Sequence, residues 1–210
     1  MTKFLIFFSL SWSFFGMAQN IWMTPNLGQW DARIDYSVDL AQGKLYLEED
    51  GMCYYFTDAL LHNHDDHEDE EHQTEHHDEG HEPNRYHAIK QTFIGSNAAN
   101  HISTHKSEHY QNFILGNDPQ KWKSTVYSFS KVTYTEFYAG IDLIYKGIDG
   151  QLSYNFRVQP GAEVKQISFR LDGAENITLK NGNLSINHRF GEILQSKPLA
   201  WEIDENGRKK

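Results

Sequence analysis

The sequence predicts an all-β protein, an antiparallel β-sandwich built from consecutive hairpins and carrying one disordered His/acid-rich insertion. Two-residue turn signals at Asp50-Gly51, Asp149-Gly150 and Asn181-Gly182 are each flanked by alternating apolar residues, the pattern of half-buried strands joined by tight turns. The flanking stretches register so that apolar meets apolar, and no stretch from Gln19 onward keeps a helical period. Antiparallel strands of this kind bury one face against a second layer.

The chain opens with Lys3, an apolar run from Phe4 to Leu10, and Gly16-Met17-Ala18. That is the form of a secretory signal peptide covering residues 1–18, cut before Gln19; the run is too short to cross a bilayer as a helix. The mature chain is expected outside the cytoplasm, which argues against most nucleotide-dependent chemistry. No second long apolar run follows, so no membrane span is expected once the leader is removed.

Residues 19–61 read as a first β segment. With Asp50-Gly51 as the loop, Leu47 is expected opposite Tyr54 and Leu45 opposite Phe56, which puts Cys53 opposite Glu48. Cys53 is the single cysteine, so neither a disulfide nor lipid attachment at the cleavage site is available. It reads as a small hydrophobe in a sheet.

Residues 62–85 read as the insertion. Ten of the 29 acids lie between His62 and Glu82 with no Lys or Arg among them, leaving 19 acids against 19 bases elsewhere. The formal charge of −10 therefore belongs to this tract. Without a basic face, nucleic acid is not an expected partner. His62, His64, His67, His72, His76, His77 and His81 stand among these carboxylates as candidate ligands for zinc, copper or nickel. With no apolar residue to fix a geometry, the tract is expected to be solvated, to bind metal weakly at best, and to release it near pH ~6.5. No dedicated cofactor is expected.

Residues 86–210 read as the main sandwich region. Asn97 to Tyr110 is read as a loop or short helix, with His101, His105 and His109 as surface histidines recurring every four residues. Around Asp149-Gly150, Tyr145 is expected opposite Tyr154, Leu143 opposite Phe156 and Ile141 opposite Val158, with Asp142 and Arg157 as a charged cross-strand pair. Around Asn181-Gly182, Leu179 is expected opposite Leu184 and Ile177 opposite Ile186. Ile167, Phe169 and Leu171 alternate, as do Leu199, Trp201 and Ile203. Asn206-Gly207 signals a turn whose returning strand stops at Lys210, so the sequence is expected to be C-terminally truncated, a fragment.

Several segments resemble an N-terminal module of unknown function from large secreted proteins of gliding bacteria. They are Asn26-Leu27-Gly28-Gln29-Trp30-Asp31, Gly43-Lys44-Leu45-Tyr46-Leu47, Phe113-Ile114-Leu115-Gly116-Asn117-Asp118-Pro119 with Lys121-Trp122, and Tyr138-Ala139-Gly140-Ile141-Asp142-Leu143. Gly150-Gln151-Leu152 with Tyr154 and Phe156, Pro160-Gly161-Ala162, and Gly191-Glu192 with Lys197-Pro198 complete the pattern. The resemblance implies a β-rich module preceding β-propeller-type or Ig-like repeats, with export by the type IX system directed by a C-terminal sorting domain. Leu27 departs from the pattern, standing where lysine is usual, and the sequence ends before any repeat or sorting domain; without one, a periplasmic location is the alternative.

No zincin pair, Gly-x-Ser-x-Gly elbow, phosphate loop or dinucleotide fingerprint is present. The expected function is thus non-enzymatic: a secreted or cell-surface scaffold or interaction module, adhesin-like, with an extracellular protein or glycan as partner. Metal capture through the His-rich tract is the alternative, and Trp30, Trp122 and Trp201 are the candidate sugar-stacking aromatics.

Overall fold

The computed structural model describes the backbone of residues 3–9 and residues 21–58, 85–97, 100–148 and 150–203. The seven histidines from His62 to His81 lie outside the described residues. The described chain is all-β, with two 3-10 turns, Pro119–Lys121 and Val164–Gln166, and no α-helix. No helix among the described residues is long and apolar enough to cross a membrane.

The first strands in chain order are β1 (Lys3–Ser9), β2 (Met23–Pro25), β3 (Ile34–Leu40), β4 (Gly43–Glu48), β5 (Gly51–Thr57) and β6 (Tyr86–Phe93). Two long strands follow, β7 (His101–Phe113) and β8 (Lys123–Tyr138), then β9 (Ile141–Ile148) and β10 (Gln151–Val158). Last come β11 (Phe169–Asp172), β12 (Asn176–Lys180), β13 (Asn183–His188), β14 (Gly191–Gln195) and β15 (Leu199–Ile203).

Twelve strands form one antiparallel sheet in the order β11-β6-β5-β4-β3-β2-β8-β9-β10-β1-β15, with β7 on the other edge of β8. β12, β13 and β14 form a separate three-stranded sheet. The all-β, antiparallel class is as expected, but the large sheet is strongly curled into a half-barrel rather than laid out as a clear sandwich of two facing layers. The physical reason is that consecutive hairpins add to one growing sheet, and accumulated strand twist bends it round. The small sheet lends Ile186 and Ile193 to the core inside the curl.

The core is aromatic. Tyr54, Phe56, Phe93, Tyr134, Phe137, Tyr145, Tyr154 and Phe156 are all buried in one cluster. Phe93 is its junction, with ring centroids 5.4 Å from Phe137, 6.0 Å from Tyr154, 5.5 Å from Phe156 and 6.1 Å from Phe169, all edge to face. Such contacts add to the burial of the rings themselves. A polar ring joins the two sheets across this core. Gln195 on β14 donates to Gln91 Oε1 on β6 (2.7 Å) and accepts from the Tyr154 hydroxyl on β10 (3.1 Å). Gln91 in turn donates to Tyr154 at 3.3 Å.

The β9–β10 register is as the sequence predicts, with Tyr145 opposite Tyr154, Leu143 opposite Phe156, Ile141 opposite Val158 and Asp142 opposite Arg157. Arg157 Nη2 donates to Asp142 Oδ2 at 2.6 Å. Both faces of this hairpin are buried: Leu143, Tyr145, Tyr154 and Phe156 on one, Asp142, Ile144, Ser153 and Asn155 on the other. The β12–β13 register also matches, with Leu179 opposite Leu184 and Ile177 opposite Ile186. Ile177 and Leu179 are nonetheless exposed, because β12 extends past the core.

Two expectations are corrected. In the β4–β5 hairpin the loop is Glu49-Asp50, so Leu47 faces Met52, Leu45 faces Tyr54, and Cys53 faces Tyr46 rather than Glu48. Gly51 is not a turn residue. It lies in β5, where an added Cβ would stand 2.0 Å from the Gln91 carbonyl oxygen of β6, so only glycine permits that approach. Cys53 is half-buried, and burial raises its thiol pKa, which keeps it protonated and weakly nucleophilic. The second correction concerns Asn97 to Tyr110, read as loop or helix: from His101 onward it is the strand β7.

His188, at the end of β13, stacks on Phe56 with centroids 3.8 Å apart, and His87 lies 5.8 Å away. Burial, with a smaller contribution from His87, lowers the His188 pKa, while Glu175 opposes the shift. The unfolded chain therefore binds the extra proton first. The fold is expected to lose stability as pH drops below about 6.5 and until the lowered folded value is passed. Urea midpoints measured at pH 7.5 and 5.5 should differ by less in His188→Phe than in the native protein.

Candidate functional site

The site begins where the large sheet splits. β2 meets β8 at a single registered pair, Met23 with Phe129, and ends at Pro25. Proline offers no N–H to continue the ladder. Beyond that point the long β7–β8 ribbon leaves β3, and a cleft of about 930 Å³ opens in the fork.

One wall is the β2–β3 loop, the segment Asn26-Leu27-Gly28-Gln29-Trp30-Asp31. The loop holds itself. Asn26 Nδ2 donates to the carbonyls of Asp31 and Ile34, both at 2.8 Å, while its Oδ1 accepts from the amides of Gly28 (2.9 Å) and Trp30 (3.2 Å). The buried Gln29 donates to the Pro25 carbonyl (2.8 Å) and accepts from the Leu27 amide (2.7 Å). Gly28 takes a φ of 107°, which a Cβ would strain. Asn26, Gly28 and Gln29 thus have structural work, and the conformation they fix presents Leu27 and Trp30 to the cleft.

The other wall is the β7–β8 ribbon. Trp30 packs edge-on against Phe113 at the end of β7, with centroids 5.2 Å apart, and so bridges the fork. The connection after Phe113 is also self-held: Asp118 accepts from the Gln120 amide at 3.0 Å, and Trp122 Nε1 donates to the Gly116 carbonyl at 3.2 Å. This leaves apolar side chains in water. Leu27 is 54% exposed, Ile114 60%, Leu115 51% and Trp122 40%. Two segments more than 80 residues apart in sequence therefore meet beside one cleft.

Inside the cleft the chemistry is mixed. The Lys106 ammonium sits 3.4 Å above the Tyr127 ring, a cation–π contact that holds a positive charge over an aromatic face. His101 lies edge-on to Tyr36 at 5.2 Å. The Tyr134 hydroxyl donates to Asp35 Oδ2 at 3.0 Å, and burial together with the Asp35 charge raises its pKa well above the usual phenol value. Burial raises Tyr36 as well, opposed by a hydrogen bond with Ser103. The tyrosines therefore stay protonated. A ligand meets aromatic faces, one ammonium, one imidazole and an acid already held by a phenol.

The remaining sequence candidates fall in separate places. His101 lines the cleft, whereas His105 and His109 lie exposed along β7 without forming a ligand set. Among the described residues no group of three or more His, Cys, Asp or Glu could hold a metal ion. Of the three candidate sugar-stacking tryptophans, Trp30 and Trp122 belong to the two loops at the fork, while Trp201 lies on β15 at the end of the sheet order. Lys106, Tyr127 and Asp35 were not marked by any motif; they are joined by the fold alone.

No curated protein and no solved structure matches this chain. The family model of a domain of unknown function, DUF7948, matches residues 23–210, a span that takes in both loops of the fork and every strand from β2 to β15. The chain belongs to that family.

Proposed function

We propose that this chain is an exported, non-enzymatic interaction module that binds an extracellular polypeptide at the fork between the β2–β3 loop and the β7–β8 ribbon. The carrying observation is the convergence there of two self-braced loops that leave Leu27, Ile114, Leu115 and Trp122 in solvent. Exposed apolar side chains held on rigid loops are the composition of a docking rim, and the aromatic cleft beside them suits an inserted anchor. Export rests on the leader pattern of residues 1–18 and on the resemblance to secreted modules.

A photo-crosslinking residue placed at Leu115 or Trp122 of the full chain in its native cell is expected to give one discrete polypeptide adduct. The adduct should fall at least about tenfold in a Trp30→Ala background, since an interface centre is carried by such anchors. The same residue at Arg170, an exposed position on β11, should give none. Equal adducts at Arg170, a glycan in place of a polypeptide, or hydrolytic turnover by the purified chain would overturn the reading.

A further inference from the structure

The position of β1 carries an inference separate from the fork, and it rests only on the leader part of the functional reading. β1 lies between two strands and pairs antiparallel with both. Phe4, Ile6 and Phe8 are registered opposite Val158, Phe156 and Tyr154 of β10, while Leu5, Ile6 and Phe7 are registered opposite Trp201, Ala200 and Leu199 of β15. Among the described residues β15 stands at the end of the sheet order, next to β1. If residues 1–18 are cut away on export, two backbone edges open together. Each edge would then offer N–H and C=O groups that β1 had paired, and the β10 edge lies beside the buried side chains of Tyr154, Phe156 and Val158. Edges of that kind are templates for another strand.

We propose that the gap between β10 and β15 is an acceptor slot for a strand donated by a second polypeptide, and that the leader fills it only in the precursor. The register states what the donor must look like. Positions opposite Val158, Phe156 and Tyr154 lie on the core side of the sheet and call for large apolar residues at every second place. The position opposite Asn155 calls for something else. Asn155 is 1% exposed, and neither its Oδ1 nor its Nδ2 has a hydrogen-bond partner. A buried amide left in that condition is costly, and a cross-strand amide or hydroxyl would satisfy it. The leader supplies Phe7 at that register position. The fitted donor is therefore an amphipathic strand with apolar residues on one side and Asn, Ser or Thr opposite Asn155. The leader matches the first requirement and fails the second, as suits an occupant that is later displaced.

The test uses the protein exported by its own cells, with its N-terminus read by mass spectrometry. Synthetic peptides of residues 3–9 are then titrated in three forms: L5T alone, L5T with F7N, and L5T with F7N and I6D. The double variant is expected to bind at a ratio of one to one and to slow amide exchange in residues 151–158 and 199–203. It should bind at least about fivefold more tightly than L5T alone, because it completes the Asn155 hydrogen bonds. The I6D form should lose at least about tenfold, since it drives a carboxylate into the core side. An N-terminus at Met1 in the exported protein overturns the leader reading and the slot with it. A cleaved protein that binds none of the peptides overturns the slot alone. So does one whose β10 and β15 amides are already protected, whether by closing on each other or by pairing with a second copy in a dimer.

Discussion

Phe93→Ala is expected to be the most damaging single side-chain truncation in the described core. The ring is 2% exposed and touches Phe137, Tyr154, Phe156 and Phe169, so its removal leaves a cavity whose walls belong to three different strands, β8, β10 and β11. Walls anchored in separate sheet positions cannot collapse inward, and the cost should reach the upper part of the range for aromatic truncations, about 3–5 kcal/mol. Against a total of roughly 5–15 kcal/mol for a domain, that is a large share. Urea unfolding should show a lower midpoint with an unchanged slope. Phe169→Ala, at a half-buried position on the short strand β11, should cost clearly less. Equal midpoints for the two variants would show that the cluster is not centred on Phe93.

The second large effect is expected at Gln195→Leu. Gln195 is the polar link by which the three-stranded sheet holds the half-barrel, and it bonds Gln91 and Tyr154 at once. Its loss removes the Gln195 donor from Gln91 Oε1 and the Gln195 acceptor from the Tyr154 hydroxyl, in a region where both side chains are fully buried. Abandoned buried groups cost about 1–3 kcal/mol each, so the single variant should lose about 2–4 kcal/mol despite the apolar gain. The double variant Gln91→Leu with Gln195→Leu should lose less than the sum of the two singles. Residues sharing one network couple in this way. Additive losses in urea midpoints would mean the ring does not act as a unit.

How much of this could be read from the chain depends on burial. Alternation is visible only where apolar residues recur at every second position. The β12–β13 and β9–β10 registers were legible because turn dipeptides and apolar spacing agree, and Asp142 with Arg157 added a charge check. β7 was illegible for the opposite reason: His101–Phe113 is almost wholly exposed on both sides, so nothing in it alternates. Gly51 misled because glycine marks tight turns and close strand approaches alike, and here the second use won. Gln91 and Gln195 gave no signal, since a glutamine buried in a strand declares itself only through partners about 100 residues away. Of the fork, Trp30 and Trp122 stood out as aromatics and both loops stood out as family segments. Their meeting is a product of the curl, which no local pattern encodes.

The double burial of the β9–β10 hairpin bears on how such a module could diversify. A strand pair enclosed above and below has no idle positions, so a change at nearly any of its residues disturbs packing on one side or the other. New partners must then be acquired elsewhere, on segments whose backbone is fixed by its own hydrogen bonds while its side chains are free to change. The braced loops at the fork meet that description: Leu27, Ile114 and Leu115 can be exchanged without touching Asn26, Gln29 or Asp118. Repertoire and robustness are thereby assigned to different stretches of one polypeptide.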